Sequence, residues 1–247
     1  MGNSAAFFDI DGTIYREGLI TEVCKKMIKY EIINRASWEE HIKPAYLKWD
    51  KRQGDYDSYL LKMVEVYTEA VKGIEKFQIE YIAKKVIEQK GDRVYTFSRD
   101  RILWHKKNEH KVIAISGSPI ELVKEMSNKY EMDDYRGTIY KRNADGKFTG
   151  EVIPMWDAVS KRAAMLDMVD KYDIDLSQSF AYGDTAGDFT MLSMVGKPYA
   201  INPTRELLHQ IRLDEDLKQK IIIVIERKDV IYKLHADQVD LVLCNPK

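Results

Sequence analysis

Cysteine is scarce in this 247-residue chain: Cys24 and Cys244 stand near its opposite ends. That excludes a disulfide framework as the source of stability and fits a reducing cytoplasm. Histidine is nearly as rare, with five residues, so a metal site must draw mainly on oxygen ligands. An excess of charge of either sign is also missing. The formal net charge of −1 offers nothing to steer the whole molecule toward nucleic acid or an anionic membrane, and neither partner is expected. Long apolar runs are absent. Ile221 to Ile225 is strand-sized, and the run from Ala5 to Phe8 meets Asp9 before it reaches the length of a signal peptide. No repeat or low-complexity tract occurs. What remains is an ordinary globular composition, 45% apolar and 32% charged, long enough for one large domain or a domain with a sizeable insertion.

The chain alternates strand and helix signals, with one interruption. Residues 5–10 read as a short buried strand broken by Asp11-Gly12-Thr13. Four amphipathic stretches follow, near 19–35, 38–52, 56–72 and 78–89, with breaks at Ser37, Gly54 and Gly73. Ser37-Trp38-Glu39-Glu40 resembles a capping box, and Asp57-Ser58 is a second plausible helix start. Such an insert can form a helical bundle of its own. Alternation resumes after Asp92: a helix over 95–110, a buried strand over 111–116, and a helix over 120–130 with Pro119 at its first turn. A hairpin over 135–153 turns at Asn143-Ala144-Asp145-Gly146. A helix over 157–171, a strand over 179–182, a helix over 188–194 and a strand over 198–201 come next. A late hairpin joins 221–226 to 230–234. The pattern predicts a doubly wound α/β fold with a mainly parallel sheet. Residues 1–16 and 92–247 form the core and residues 17–91 a helical cap.

Ligands of such sheets sit beyond the C-terminal ends of the strands. Three strands end there in polar signatures: Asp9-Ile10-Asp11-Gly12-Thr13, Ser116-Gly117-Ser118 and Gly183-Asp184. Asp9 and Asp11, two apart, face the same way while the chain stays extended, and two such carboxylates call for a cation or a shared proton. Taken alone, Asp11-Gly12 is equally a turn pair. Gly183-Asp184-Thr185-Ala186-Gly187-Asp188 supplies a second acidic cluster, in which Asp188 is alternatively a helix N-cap. Together the two clusters offer hard oxygen ligands of the kind that hold Mg²⁺ beside a phosphate. Ser116 and Gly117, before a helix start, can supply a hydroxyl and backbone N–H groups to an anion. Spacing does not select Lys161 over Arg162 as a partner.

In this order Asp9-Ile10-Asp11-Gly12-Thr13, Ser116-Gly117-Ser118, Lys161 and Gly183 to Asp188 resemble the four motifs of the haloacid dehalogenase superfamily of phosphatases. The insert after the first motif, and Phe148-Thr149-Gly150-Glu151-Val152 ahead of Lys161, are similar to its phosphoserine phosphatase-like branch. The resemblance spans about residues 5–203. It implies Asp9 as nucleophile, Asp11 as acid and then base, and Ser116, Gly117 and Lys161 on the phosphate. It implies Mg²⁺ held by Asp9, Asp11 (through its backbone carbonyl) and Asp184, with Asp188 holding a metal-bound water or orienting Lys161. The implied reaction is Mg²⁺-dependent hydrolysis of a small phosphorylated metabolite through an aspartyl-phosphate, with phosphoserine one candidate. Transfer to an alcohol acceptor, or noncatalytic phosphate binding with a regulatory role, are the alternatives. Glu17 and Arg52 are candidates for reading the substrate. Gly187 stands where phosphoserine phosphatases carry Asn. The cap aromatics Trp38, Tyr46, Trp49, Tyr56, Tyr59 and Tyr67 are expected mainly to pack. Oligomeric state is left open.

Overall fold

The computed structural model describes residues 2–54 and 56–240; Cys244 and the side chains of Tyr56 and Asp57 lie outside the described residues. The strands are β1 (Ala5–Phe8), β2 (Lys111–Pro119), β3 (Asp134–Arg142), β4 (Phe148–Ile153), β5 (Phe180–Gly183), β6 (Lys197–Ile201), β7 (Ile222–Glu226) and β8 (Ile231–His235). They form one sheet in the order β4-β3-β2-β1-β5-β6-β7-β8. Pairing is parallel from β3 through to β7 and antiparallel at both edges, β3 with β4 and β7 with β8. This is the doubly wound, mainly parallel sheet predicted. The late hairpin extends it: β7 pairs with β6 and β8 closes the edge. From β1 the chain winds outward through β2 and β3, then returns to β5 and winds the other way. The crevice between the ends of β1 and β5 is therefore the switch point where ligands bind in such sheets.

Five helices lie between β1 and β2 before α6: α1 (Leu19–Lys29), α2 (Arg35–Ser37), α3 (Lys43–Asp50), α4 (Tyr56–Val71) and α5 (Lys76–Lys90). α6 (Thr96–Lys107) leads into β2, α7 (Ile120–Lys129) follows β2, and α8 (Ala158–Tyr172) precedes β5. α9 (Phe189–Met194), α10 (Arg205–Leu213) and α11 (Glu215–Lys220) complete the fold. The start of the second cap helix differs from the expectation. Asn34, not Ser37, caps it, its side chain accepting from the Ala36 N–H at 2.9 Å. Trp38–Ile42 then forms a π-helical turn before α3. Pro44 supplies the cause, because it has no N–H for the Glu40 carbonyl and its ring crowds that turn. α10 and α11 have no counterpart in the predicted pattern.

Side chains alternate across β1 and divide the core. Ala6 and Phe8 enter one apolar cluster with Leu19, Tyr59, Met63 and Tyr182. Ala5 and Phe7 enter another with Met165, Leu192 and Leu207. The helical insert thus has no separate core, contrary to the expected independent bundle. Its apolar faces are continuous with one face of the sheet. Tyr67 makes that join, meeting Tyr140 of β3 edge-on at 5.0 Å, while Trp49 stacks on Tyr59 at 5.6 Å within the insert. Two chain crossings carry the insert, and they pair with each other. Arg16 N–H donates to the Arg93 carbonyl at 3.0 Å and Tyr95 N–H to that of Ile14 at 2.9 Å.

His105 of α6 is fully buried between Tyr182, whose hydroxyl lies 2.8 Å from its Nε2, and His110, 2.8 Å from its Nδ1. Burial, with help from Arg101, pushes its pKa down to about 2. Above about pH 6.5 the ring is neutral whether the chain is folded or not. Below it only the unfolded chain takes the proton, so acidification favours unfolding by up to ~1.4 kcal/mol per pH unit. Between pH 6.5 and 5 in Mg²⁺ buffer, wild type should therefore lose about 2 kcal/mol relative to His105→Gln. Urea unfolding of both proteins across that range measures it; parallel stability curves would rule it out.

Candidate active site

β1 ends beside β5, and Asp9 N–H donates to the Tyr182 carbonyl at 3.0 Å, which anchors the first carboxylate at the switch point. The chain then leaves the extended conformation. The Ile10 carbonyl accepts from the N–H groups of Ile14 and Tyr15 at 2.8 and 2.7 Å. Gly12 has φ +82°, and a Cβ there would lie 2.0 Å from Asp184 Oδ2. Only glycine allows the first loop and the fourth-motif carboxylate to approach this closely. Thr13, fully buried, donates its hydroxyl to Asp184 Oδ1 at 2.9 Å.

After that turn Asp11 takes partners of its own. Asp11 Oδ1 accepts from the Leu19 N–H at 2.7 Å, capping the start of α1. Its Oδ2 accepts from the Ser118 hydroxyl at 2.6 Å and, more weakly, from that of Ser116 at 3.3 Å. Burial raises the Asp11 pKa, and the Ser118 hydroxyl and Leu19 N–H oppose the rise. One carboxyl thus joins β1, the end of β2 and the first cap helix.

Asp157 starts α8 by accepting from the N–H groups of Val159 and Ser160 at 2.9 and 2.8 Å, which sets Lys161 in the first turn. The Lys161 ammonium is buried and donates to Asp9 Oδ1 at 2.7 Å and Asp188 Oδ1 at 2.6 Å. Asp188 is not the side-chain cap of α9. Its Oδ2 turns back to accept from the N–H groups of Asp184 and Thr185, both at 3.0 Å, and the Thr185 hydroxyl at 3.1 Å. Both of its oxygens are therefore engaged within the protein. Burial raises the Asp184 pKa well above the ordinary carboxylate value and pushes Asp9 up to about 8, although Lys161 opposes the shift at Asp9.

Carboxylate oxygens of Asp9, Asp184 and Asp188 lie within 4.8 Å of one another. Among the described residues, Asp9 Oδ2 and Asp184 Oδ2 accept no hydrogen bond, whereas their Oδ1 atoms do. Three clustered carboxylates face one ammonium. This all-oxygen set, short of positive charge and with two acceptors to spare, fits a hard divalent cation such as Mg²⁺.

Other sequence candidates lie elsewhere. Glu17 forms an ion pair with Arg93, which lies where the chain leaves the helical insert. Arg52 is exposed in a left-handed turn after α3, with φ +58°. Gly117 and Gly187 both abut Trp156 in the loop before α8. A Cβ on Gly187 would lie 2.5 Å from the Trp156 carbonyl, so asparagine does not fit this backbone. Thr13, Ser118 and Thr185 belong to the site but were given no role from sequence. Only their places inside the motifs pointed to them.

The model of the haloacid dehalogenase-like hydrolases matches residues 6–193, from β1 through α9. The chain belongs to the haloacid dehalogenase-like hydrolases. A Streptomyces azureus protein named for inhibition of morphological differentiation is 28% identical over 206 residues, 83% of this chain and 73% of that one. A Mycobacterium tuberculosis phosphoserine phosphatase is 27% identical over 118 residues, 47% of this chain and 38% of its own. A solved phosphoserine phosphatase bearing a phospho-aspartyl intermediate analogue superposes with a TM-score of 0.56 at 20% identity, covering 93% of this chain and 96% of that one. At that identity the likeness is one of fold. This haloacid dehalogenase-like hydrolase shares the fold of the solved phosphoserine phosphatases. Among its described residues no helix is long and apolar enough to cross a membrane.

Proposed function

We propose that the protein is a Mg²⁺-dependent phosphomonoesterase of small phosphorylated metabolites in the cytoplasm, with Asp9 as nucleophile. The observation that carries the reading is the Asp9 carboxylate itself. One of its oxygens is held by the Lys161 ammonium, the other has no donor, and the carboxylate sits at the switch point of the sheet. A carboxylate so oriented can attack phosphorus in line and form an aspartyl-phosphate. Asp11 protonates the leaving alkoxide and then takes the proton of the attacking water; burial, which raises its pKa, suits the first role. Ser118 and the Leu19 N–H hold its carboxyl in place. Lys161 neutralises charge on the transferring group, and Ser116 and Gly117 bound the phosphate pocket. Asp9, Asp184 and the Asp11 backbone carbonyl would hold Mg²⁺. Asp188 places Lys161 and the loop that carries Asp184. When bound, Mg²⁺ supplies charge neutralisation at the phosphoryl oxygens.

Residues 1–16 and 92–247 act as the catalytic core and 17–91 as the cap that admits the alcohol. Phosphoserine is one member of the substrate class. Release of inorganic phosphate from a panel of phosphomonoesters, with Mg²⁺ and after chelation, tests the reading. Turnover should depend on Mg²⁺. No release from any ester at saturating Mg²⁺ would sink it and favour a phosphate-binding protein.

A further inference from the structure

The helix that carries the chain out of the insert has no cap of its own. Tyr95, just before α6, makes no side-chain capping bond, and the first turn holds no acidic residue. The first N–H groups of a helix find no partner within it. Here the partner comes from 130 positions away. Glu226, at the end of β7, accepts from the N–H groups of Thr96 and Phe97 with its two carboxylate oxygens, both at 2.8 Å. Negative charge is favoured at that end of a helix.

The same turn of α6 holds the catalytic loop. Ser98, fully buried, donates its hydroxyl to the Thr13 carbonyl at 2.5 Å. Thr13 in turn donates its hydroxyl to Asp184 Oδ1 at 2.9 Å, which leaves Oδ2 for a cation. Asp184 is also held by the stretch after β6, where the Thr204 N–H donates to its carbonyl at 2.8 Å. In that stretch Asn202 takes φ +42°, and its Oδ1 accepts from the Glu226 N–H at 2.9 Å. The contacts close on themselves: Glu226, the first turn of α6, Thr13, Asp184, the 202–204 loop and Glu226 again. Glu226, Asn202 and Thr204 all lie beyond residue 193, where the match to the hydrolase family ends.

We propose that Glu226 is a positioning residue for the metal site. It seats the start of α6, which through Ser98 and Thr13 orients the Asp184 carboxylate and so sets the affinity for the divalent cation. The proposal rests on the phosphatase reading above and gives the C-terminal hairpin a part in it. Partners behind a metal ligand fix its orientation in advance, so their loss weakens binding.

The test reads metal binding without substrate: Mn²⁺ titration followed by electron paramagnetic resonance, and Mg²⁺ by competition. Glu226→Gln keeps the shape but sets an amide N–H₂ against one helix N–H. It should raise the Kd of both ions about 3- to 10-fold, less than the roughly 10- to 100-fold typical of groups that touch a ligand directly. Glu226→Asp keeps the charge but is too short to span both N–H groups, and should weaken binding likewise. Ser98→Ala breaks the same chain of contacts and should give a similar loss. The double variant Glu226→Gln/Ser98→Ala should bind within about twofold of the weaker single variant, because the two act through one route. Activity lost at limiting Mg²⁺ should return at saturating Mg²⁺. A lower melting temperature with unchanged Kd would make Glu226 a helix cap alone and overturn the proposal. Wild-type Kd in Glu226→Asp would do the same, since charge would then suffice, as would fully additive losses in the double variant. Wild type that binds Mn²⁺ and responds to these substitutions as expected, yet releases phosphate from no ester, would strike the phosphatase reading alone.

Discussion

Asp9→Asn should abolish turnover, with a loss on the order of 10⁴-fold or more in kcat, as expected when the group that forms the covalent bond is removed. The substitution is nearly isosteric, so the cost is chemical. An amide oxygen is a poor nucleophile toward phosphorus, and the neutral amide brings no negative charge to a site built around Lys161. The fold should survive. The carboxylate contributes nothing to β1 pairing, and the Asp9 N–H bond to Tyr182 is a backbone bond that the variant keeps. Removing one of three clustered carboxylates also relieves repulsion, so metal-free Asp9→Asn should be at least as stable as wild type. A rapid-quench experiment with a ³²P-labelled ester distinguishes a lost nucleophile from lost binding. Acid-stable protein-bound label should appear in wild type and be absent from the variant, while the variant still binds the ester. Retention of a tenth of wild-type kcat would remove Asp9 from the nucleophile's role.

The fold was legible in the sequence because its signals are local. Phe7 and Phe8 followed by Asp9, and Lys111 to Ser116, are buried apolar strand segments that lead into polar motifs, although β2 runs on through Gly117 and Ser118 to Pro119. Asn143 to Gly146 is a hairpin turn whose glycine adopts φ +79°. These patterns need no distant partner to be recognised. The features that escaped were set by residues far away in the chain. Nothing near Glu17 indicates that Arg93, 76 positions on, takes its charge. Nothing near Gly187 announces the Trp156 carbonyl that leaves no room for a side chain there. The bond from the Leu19 N–H to Asp11 Oδ1 has a nearer cause, the turn closed on Ile10, which leads the chain back to the start of α1. The missed helices α10 and α11 owe their positions to Leu207, Leu208 and Leu217, which pack in the second apolar cluster. The apolar face of the insert is continuous with the sheet because Tyr67 reaches across to Tyr140 of β3.

Lys161→Met should lose both activity and stability, and the two losses have one cause. Lys161 is 3% exposed, and its ammonium stands between Asp9 and Asp188 at 2.7 and 2.6 Å. Methionine fills a similar volume and leaves both carboxylates buried without their cation. Breaking a buried pair in this way costs about 3–5 kcal/mol, more than the pair contributes when intact, because the stranded charges keep their desolvation penalty. Part of that penalty is removed if a carboxylate takes up a proton, and the carboxylates here already lean that way. Mg²⁺ offers another source of positive charge, so adding it should raise the melting temperature of the variant more than that of wild type. Activity should remain at least 10²-fold down at saturating Mg²⁺, since the lost donor acts on the transferring group itself. Lys161→Arg should not rescue it. A planar guanidinium cannot present one nitrogen to both aspartates in the lysine's geometry. Calorimetry with and without Mg²⁺, beside kcat for both variants, measures these expectations together. Wild-type stability in Lys161→Met without metal would mean that the aspartates do not depend on this ammonium.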